Sequence, residues 1–240
     1  MRALPLAVRI VLLVLFALTA CAAPAPAGSP PYEPPPESPP APATSPPSGP
    51  PRANPPRAEP RLKVPHRASG RYAVVHGHAP PRRGRGPEIR YLVEVERGLP
   101  FDGREFAAEV HRTLNDPRGW GRFRRVDGPP VRVRVALSSP RLTDHECLPL
   151  RTGGDLSCWN GSRSVINARR WAEGVPQYEG DLAAYRRYLI NHEVGHALGH
   201  RHVSCPGRGR PAPVMTQQSK SLGGCRPNPW PYPEKGRTER

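Results

Sequence analysis

An α+β fold is what this sequence predicts, on three observations. Period-two alternation runs through RYAVVH, EIRYLVEVE and VRVRVAL, helical periodicity runs through residues 103–114 and 181–198, and LSCWNGSRSVIN carries a hairpin signal. The folded part is expected over residues 66–235, about 170 residues and enough for one domain with a real core. No internal repeat is visible.

The chain starts with a leader rather than folding material. Arg2 and Arg9 lead into IVLLVLFALTA at 10–20, the pattern of an export signal. The apolar run is shorter than the roughly 20 residues a bilayer span needs. It ends at Leu18-Thr19-Ala20-Cys21, which resembles the bacterial lipobox. That resemblance implies removal of residues 1–20, acylation of Cys21 and a chain anchored by lipid at the extracellular face of the cell membrane. Two alternatives stay open: an ordinary signal cut further on, giving a secreted protein, or an uncleaved anchor over residues 3–23. Residues 21–65 then form the lipid-bearing cysteine and a spacer. Proline with alanine, serine and glutamate dominates 22–62, a composition that buries no core and favours polyproline II. At about 3.1 Å per residue, such a stretch reaches roughly 130 Å. Residues 236–240 are expected to be a disordered tail.

Within the domain, residues 71–76 and 88–96 read as strands, the second setting Tyr91, Val93 and Val95 against Leu92, Glu94 and Glu96. A helix follows over 103–114, with a capping-box pattern at Asp102 and Glu105 and with Phe106, Val110, Thr113 and Leu114 on one face. Valine alternating with arginine at 131–137 marks a half-buried strand. Residues 156–167 form a hairpin about Asn160-Gly161, the pair that a type I′ turn prefers, with one strand at a sheet edge. The last helix spans 181–198, capped by Asp181, with Leu182, Tyr185 and Leu189 on one face.

Export changes how charge and cysteines are read. The formal charge is +16, and +14 once Arg2 and Arg9 leave with the leader. No compact basic and aromatic motif argues for a nucleic-acid fold, so nucleic acid is not an expected partner. Outside a membrane the anions within reach are lipid headgroups and anionic cell-wall polymers; the bland alternative is a base-composition preference for arginine. Beyond Cys21, four cysteines remain, an even number that suggests two disulfides. The expected pairs are sequence neighbours, Cys147 with Cys158 and Cys205 with Cys225. A Cys/His zinc site is the rival, but no CxxC spacing supports it.

The chemistry concentrates in NHEVGHALGHRHV, residues 191–203. On a helix, His192 and His196 lie four residues apart and converge on one ion, with Glu193 beside it as a base. Gly199 is suited to end the helix and turn the chain back. If the helix ran on, His200 would sit about 12 Å of rise beyond His192, too far to share an ion. If the chain turns at Gly199, His200 is too close to the bend to swing back, whereas His202 has room. His192, His196 and His202 are therefore the expected metal ligands, and His200 is a neighbour without an assigned role.

The string His192, Glu193, His196, Gly199, His202 fits HExxHxxGxxH and resembles the signature of the metzincin metallopeptidases. Met215, thirteen residues past His202 in PAPVMTQQ, stands where that clan has its methionine turn. The lipobox, proline spacer, HEVGHALGH core and paired cysteines also resemble a family of actinobacterial exported proteins known as a domain of unknown function with a zincin-like site, over roughly residues 70–230. The resemblance implies a zincin-like fold: a mixed twisted sheet with an edge hairpin, packed on two main helices, the active-site helix followed by the glycine and methionine turns. It departs from better-known metzincins at Gln217, where several have a tyrosine that approaches the metal.

The resemblance implies a zinc-dependent hydrolase of peptide or related amide bonds. Zinc on three neutral imidazoles keeps a position open and lowers the pKa of water there towards roughly 7. Glu193 would take the proton as that water attacks the carbonyl, then pass it to the departing amine. An extended peptide or protein substrate would lie along residues 155–159 by strand addition. Arg169, Arg170 and Trp171 could touch substrate, although packing is the plainer reading, and DPRGWG at 116–121 reads as a structural turn. Two alternatives remain open: a surface-tethered zinc protein that binds without catalysis, and a hydrolase of peptidoglycan cross-bridges.

Overall fold

The computed structural model describes residues 62–236. The leader, the lipobox Cys21, the spacer up to residue 61 and the tail from residue 237 lie outside the described residues. Among the described residues, no helix is long and apolar enough to cross a membrane.

The domain is α+β with a mixed sheet. In chain order the strands are β1 (Tyr72–Val74), β2 (Glu88–Glu96), β3 (Arg122–Arg125), β4 (Val133–Ser138), β5 (Cys158–Trp159) and β6 (Ser164–Asn167). Their order across the sheet is β1-β2-β4-β6-β5, with β3 also paired to β2. The centre is parallel, because β2, β4 and β6 run the same way, while β1 and β5 close the two ends antiparallel. Strand β2 shares one of its sides between β3, along Glu88–Tyr91, and β1, along Glu94–Glu96.

Side-chain alternation assigns the two faces. Tyr91, Val93, Val135, Leu137 and Ile166 join the main core with helix α1 (Gly103–Leu114) and helix α4 (Leu182–Ala197). Asp102 caps α1 by accepting from the N–H groups of Arg104 and Glu105, and Phe106, Val110, Thr113 and Leu114 are its buried face. On the opposite face, Cys147, Cys158 and Val165 form a small second cluster under helix α2 (Pro140–Glu146).

Glu94 and Glu96 are buried on that second face, and each is satisfied. Glu96 accepts from Gly70 N at 2.8 Å and from Ser139 N at 2.6 Å, which ties β2 to the start of α2. Glu94 lies 3.2 Å from an Arg134 nitrogen and 2.8 Å from Arg163 Nε. A buried carboxylate without such partners would be strongly destabilising. The arginine of the alternating strand therefore neutralises a neighbour instead of facing open water.

Several expectations need correction. The first strand is only three residues long, and the valine–arginine strand begins at Val133 rather than Val131. The hairpin exists, but its turn lies one residue later. Asn160 N donates to Arg163 O at 3.0 Å, so the two-residue loop is Gly161-Ser162. Gly161 takes a φ of 92°, whereas Asn160 stays at negative φ, which excludes type I′ and fits glycine at the first loop position. Asn160 contributes through its side chain, which accepts from the N–H groups of Ser162 and Arg163. Two short helices were also unforeseen: α2, capped by Ser139, and α3 (Ala168–Glu173), capped by Asn167.

Both expected disulfides form, Cys147–Cys158 and Cys205–Cys225. The first ties α2 to β5, the edge strand.

Candidate metal centre and cleft

Helix α4 carries the site. Buried on nearly every side, it presents Tyr185, Leu189, Ile190 and Val194 to the core and places His192 and Glu193 at the floor of a cleft. Its end is a Schellman arrangement: His200 N donates to Gly195 O and Gly199 N to His196 O, both at 2.9 Å. Gly199 adopts a φ of 99°, the left-handed value that this reversal requires. The chain then runs back along the methionine segment, where Val203 N donates to Met215 O at 3.2 Å. That contact returns His202 to the helix.

His192, His196 and His202 offer one ring nitrogen each, and these nitrogens all lie within 4.8 Å of one another. His196 Nε2 and His202 Nε2 are 3.0 Å apart. A tetrahedral ion with bonds of about 2.0–2.1 Å separates its ligand atoms by about 3.3 Å, so the cluster needs only small adjustments to hold one. Two of the rings are oriented from behind. His192 Nδ1 is 2.8 Å from Val214 O, and His196 Nδ1 is 2.8 Å from His200 O. Donation of the Nδ1 proton to a carbonyl leaves Nε2 with its lone pair free, the usual second partner of a metal-bound histidine.

Electrostatics favour neutral rings. Burial pushes His192 down to about 3, opposed by its bond to Val214 and assisted by the other two histidines. His196 and His202 are also lowered, mainly by burial. Neutral imidazole is the form that binds a cation. Glu193 lies 4 % exposed in the same cleft, and burial alone pushes its carboxyl up to about 8. No side chain of the described residues hydrogen-bonds or ion-pairs with that carboxyl. A donor set of three nitrogens beside an unpaired buried carboxyl suits a divalent cation.

The methionine segment braces the helix from below. Thr216 N donates to Pro213 O at 2.9 Å, forming a tight turn at residues 213–216 that holds Met215, itself 5 % exposed. A Cβ placed on Gly195 would lie 2.5 Å from Met215 Sδ and 2.9 Å from a Trp120 ring carbon. Gly195 is thus what lets methionine and tryptophan reach the helix backbone between the two histidines.

The cleft has two walls. One is the edge of the sheet, with Leu150, Leu156, Ser157, Cys158 and Trp159; the other carries Gln217, Ser219 and Lys220. Leu150 and Trp159 are half exposed there. Gln217, which stands where a tyrosine was noted in the resembling clan, does line the cleft.

Other expected contacts lie elsewhere. Trp171 is buried in the core, and Arg170 Nε donates to Asp155 O at 2.8 Å. Arg169 and Arg170 both pair with Asp155, so this trio belongs to packing and does not line the cleft. DPRGWG is a turn with a second purpose. Trp120 Nε1 donates to Asn191 O at 2.8 Å, and its ring stacks on His200 with centroids 4.1 Å apart. His200 therefore braces His196 through its backbone carbonyl while its ring packs on Trp120.

Tyr188 was missed, although it lies one helical turn before His192 on the same face and was readable from that spacing. Its hydroxyl donates to Thr216 O at 3.0 Å and accepts from Gln218 N at 2.9 Å, so it is committed to holding the methionine segment.

An α+β domain with a histidine-floored cleft at the edge of a mixed sheet is the class that fold and site define. The chain belongs to the family described as "Protein of unknown function (DUF3152)", whose profile matches residues 58–224. No curated protein matches the chain, and no solved structure does.

Proposed function

We propose that this chain is a zinc-dependent hydrolase of peptide or related amide bonds, acting on an extended peptide or protein segment. The observation that carries the reading is Glu193: a buried carboxyl without a protein partner, in one cleft with three convergent imidazole nitrogens. A metal site that only braces a fold has no use for such a group.

His192, His196 and His202 would hold the ion. When bound, zinc supplies Lewis acidity, polarising a carbonyl and making water a better nucleophile. Glu193 takes the proton of the attacking water and delivers it to the leaving nitrogen. Strand β5, the terminal strand of the sheet, offers its free edge to an extended substrate, and Leu150, Leu156 and Trp159 offer apolar contacts to its side chains. In the same reading the chain works outside the cell membrane, tethered through Cys21, where anionic wall polymers are within reach of its basic charge. The two disulfides are compatible with that compartment.

The test is Glu193→Gln, assayed on the zinc-loaded chain with a diverse peptide library and intact cell wall. The expected result is roughly a 10²–10⁴-fold loss of turnover with zinc content unchanged. Equal cleavage by parent and variant, or no cleavage by the zinc-loaded parent, would overturn the reading.

A further inference from the structure

The wall of the cleft that follows the methionine turn carries a cation with nothing to pair with. Lys220 is the only lysine or arginine lining the cleft, and its ammonium makes no ion pair among the described residues. The chain has only three lysines, Lys63, Lys220 and Lys235, among 36 lysines and arginines together, so a general preference for arginine does not account for this one. Its main chain is fixed from both sides: Lys220 N donates to Gln217 O at 2.9 Å, and Gln177 Nε2 donates to Lys220 O at 3.1 Å. The two residues before it are anchored inward. Tyr178 Oη donates to Gln218 Oε1 at 2.9 Å, and Ser219 Oγ lies 3.0 Å from Tyr185 Oη.

Gln217 and Lys220 are left on the open side, their side chains without a hydrogen-bond partner among the described residues. Both also line a second recess, which shares His202 with the cleft and runs on to Cys205, Thr216 and Ser221. No aspartate or glutamate lines that recess, and Glu193 is the only one lining the cleft. The two free donors therefore stand beside the candidate metal centre, between two cavities that offer them no anion.

We propose that Gln217 and Lys220 form a carboxylate-recognising subsite, which selects peptides carrying an acidic side chain, or a free chain end, beside the bond to be cleaved. The inference rests on the hydrolase reading and names its substrate class. A carboxylate has two oxygens, one for the lysine ammonium and one for the glutamine amide N–H. A basic side chain at the same place would meet Lys220 as a like charge, so discrimination has a repulsive part as well. The opposite wall, with Leu150, Leu156 and Trp159, takes apolar side chains. The substrate segment is thus apolar towards β5 and acidic towards residues 217–220. Lys220 is exposed, so solvent screens the pair and the expected preference is roughly 3–10-fold.

A peptide series with Glu, Gln or Lys scanned through each position, each made with a free and an amidated C-terminus, tests this on the zinc-loaded chain. At one position Glu should beat Gln by roughly 3–10-fold in kcat/KM, mostly through KM, with Lys the poorest. Loss of cleavage on amidation, without a Glu preference, would assign the carboxylate to the chain end. Lys220→Glu should reverse the order to favour Lys, or abolish the need for a free end, while cleavage of the Gln peptides stays near the parent rate. Binding of the same peptides to zinc-loaded Glu193→Gln should show the parent's order, so the preference is read even if the parent cleaves nothing and the hydrolase reading fails. Equal handling of acidic, neutral and amidated peptides by the parent, an order unchanged in Lys220→Glu, or binding of none of the peptides would overturn the subsite.

Discussion

Gly195 shows how much of the site depends on one missing side chain. A methyl group there meets Met215 Sδ at 2.5 Å and Trp120 at 2.9 Å, and both neighbours are packed against the helix. Overpacking of this kind costs about 1–3 kcal/mol, so Gly195→Ala should lower the urea midpoint of unfolding, and an unchanged midpoint would show that the methionine segment yields freely. The three converging histidines were legible because helical spacing and a glycine stop act locally. Asp102 was legible for the same reason, since a cap reads its own next turn. Trp120 was not: its bond to Asn191 O and its stack on His200 join residues more than seventy positions apart, and no local pattern encodes such a contact. Glu94 and Glu96 were expected only as one side of an alternation, because the groups that permit their burial come from elsewhere in the chain: Arg134 from β4, Arg163 from the hairpin, Gly70 N from the segment before β1 and Ser139 N from the cap of α2.

Among the elements, the reversal after α4 decides whether a third imidazole reaches the site. Gly199 at a φ of 99° permits His200 N to bond Gly195 O, and the chain returns with His202. Any L side chain there pays about 1–2 kcal/mol for the left-handed conformation. Gly199→Ala should therefore destabilise the domain by about that amount and weaken zinc binding as well; calorimetry showing parent affinity would mean that the turn does not set the position of His202. Helix α1 was readable to its ends because its cap, its apolar face and its length all agree. Helices α2 and α3 escaped because seven and six residues give too few turns for a periodic pattern, although Ser139-Pro140 is a start signal that was there to be read. The hairpin turn shifted by one residue because Asn160 serves through its side-chain oxygen, leaving the positive φ to Gly161.

The described domain has a sheet in which β3, β2, β4 and β6 run parallel and β1 and β5 close the ends antiparallel, an order that periodicity cannot supply because alternation is the same in either direction. What the resemblance contributed at this scale was the mixed sheet with an edge hairpin and two main helices, and the strand order is compatible with it. The arrangement gathers the three histidines from one helix and the turn after it, and props them with a segment closed by Cys205–Cys225. Binding should thus stabilise the fold as a unit. At zinc a hundredfold above the dissociation constant, the gain is about 2.7 kcal/mol, a rise of roughly 5–10 °C in Tm for a domain of this size. Scanning calorimetry should show this rise in the parent and lose most of it in His192→Ala with His196→Ala. The central claim, one ion on three imidazoles, is tested most directly by X-ray absorption on the chain given less than one equivalent of zinc. The account predicts three imidazole nitrogens and one further oxygen or nitrogen donor at about 2.0–2.1 Å, with one imidazole lost in His202→Ala. Sulfur scattering, or the spectrum of zinc free in water, would contradict it.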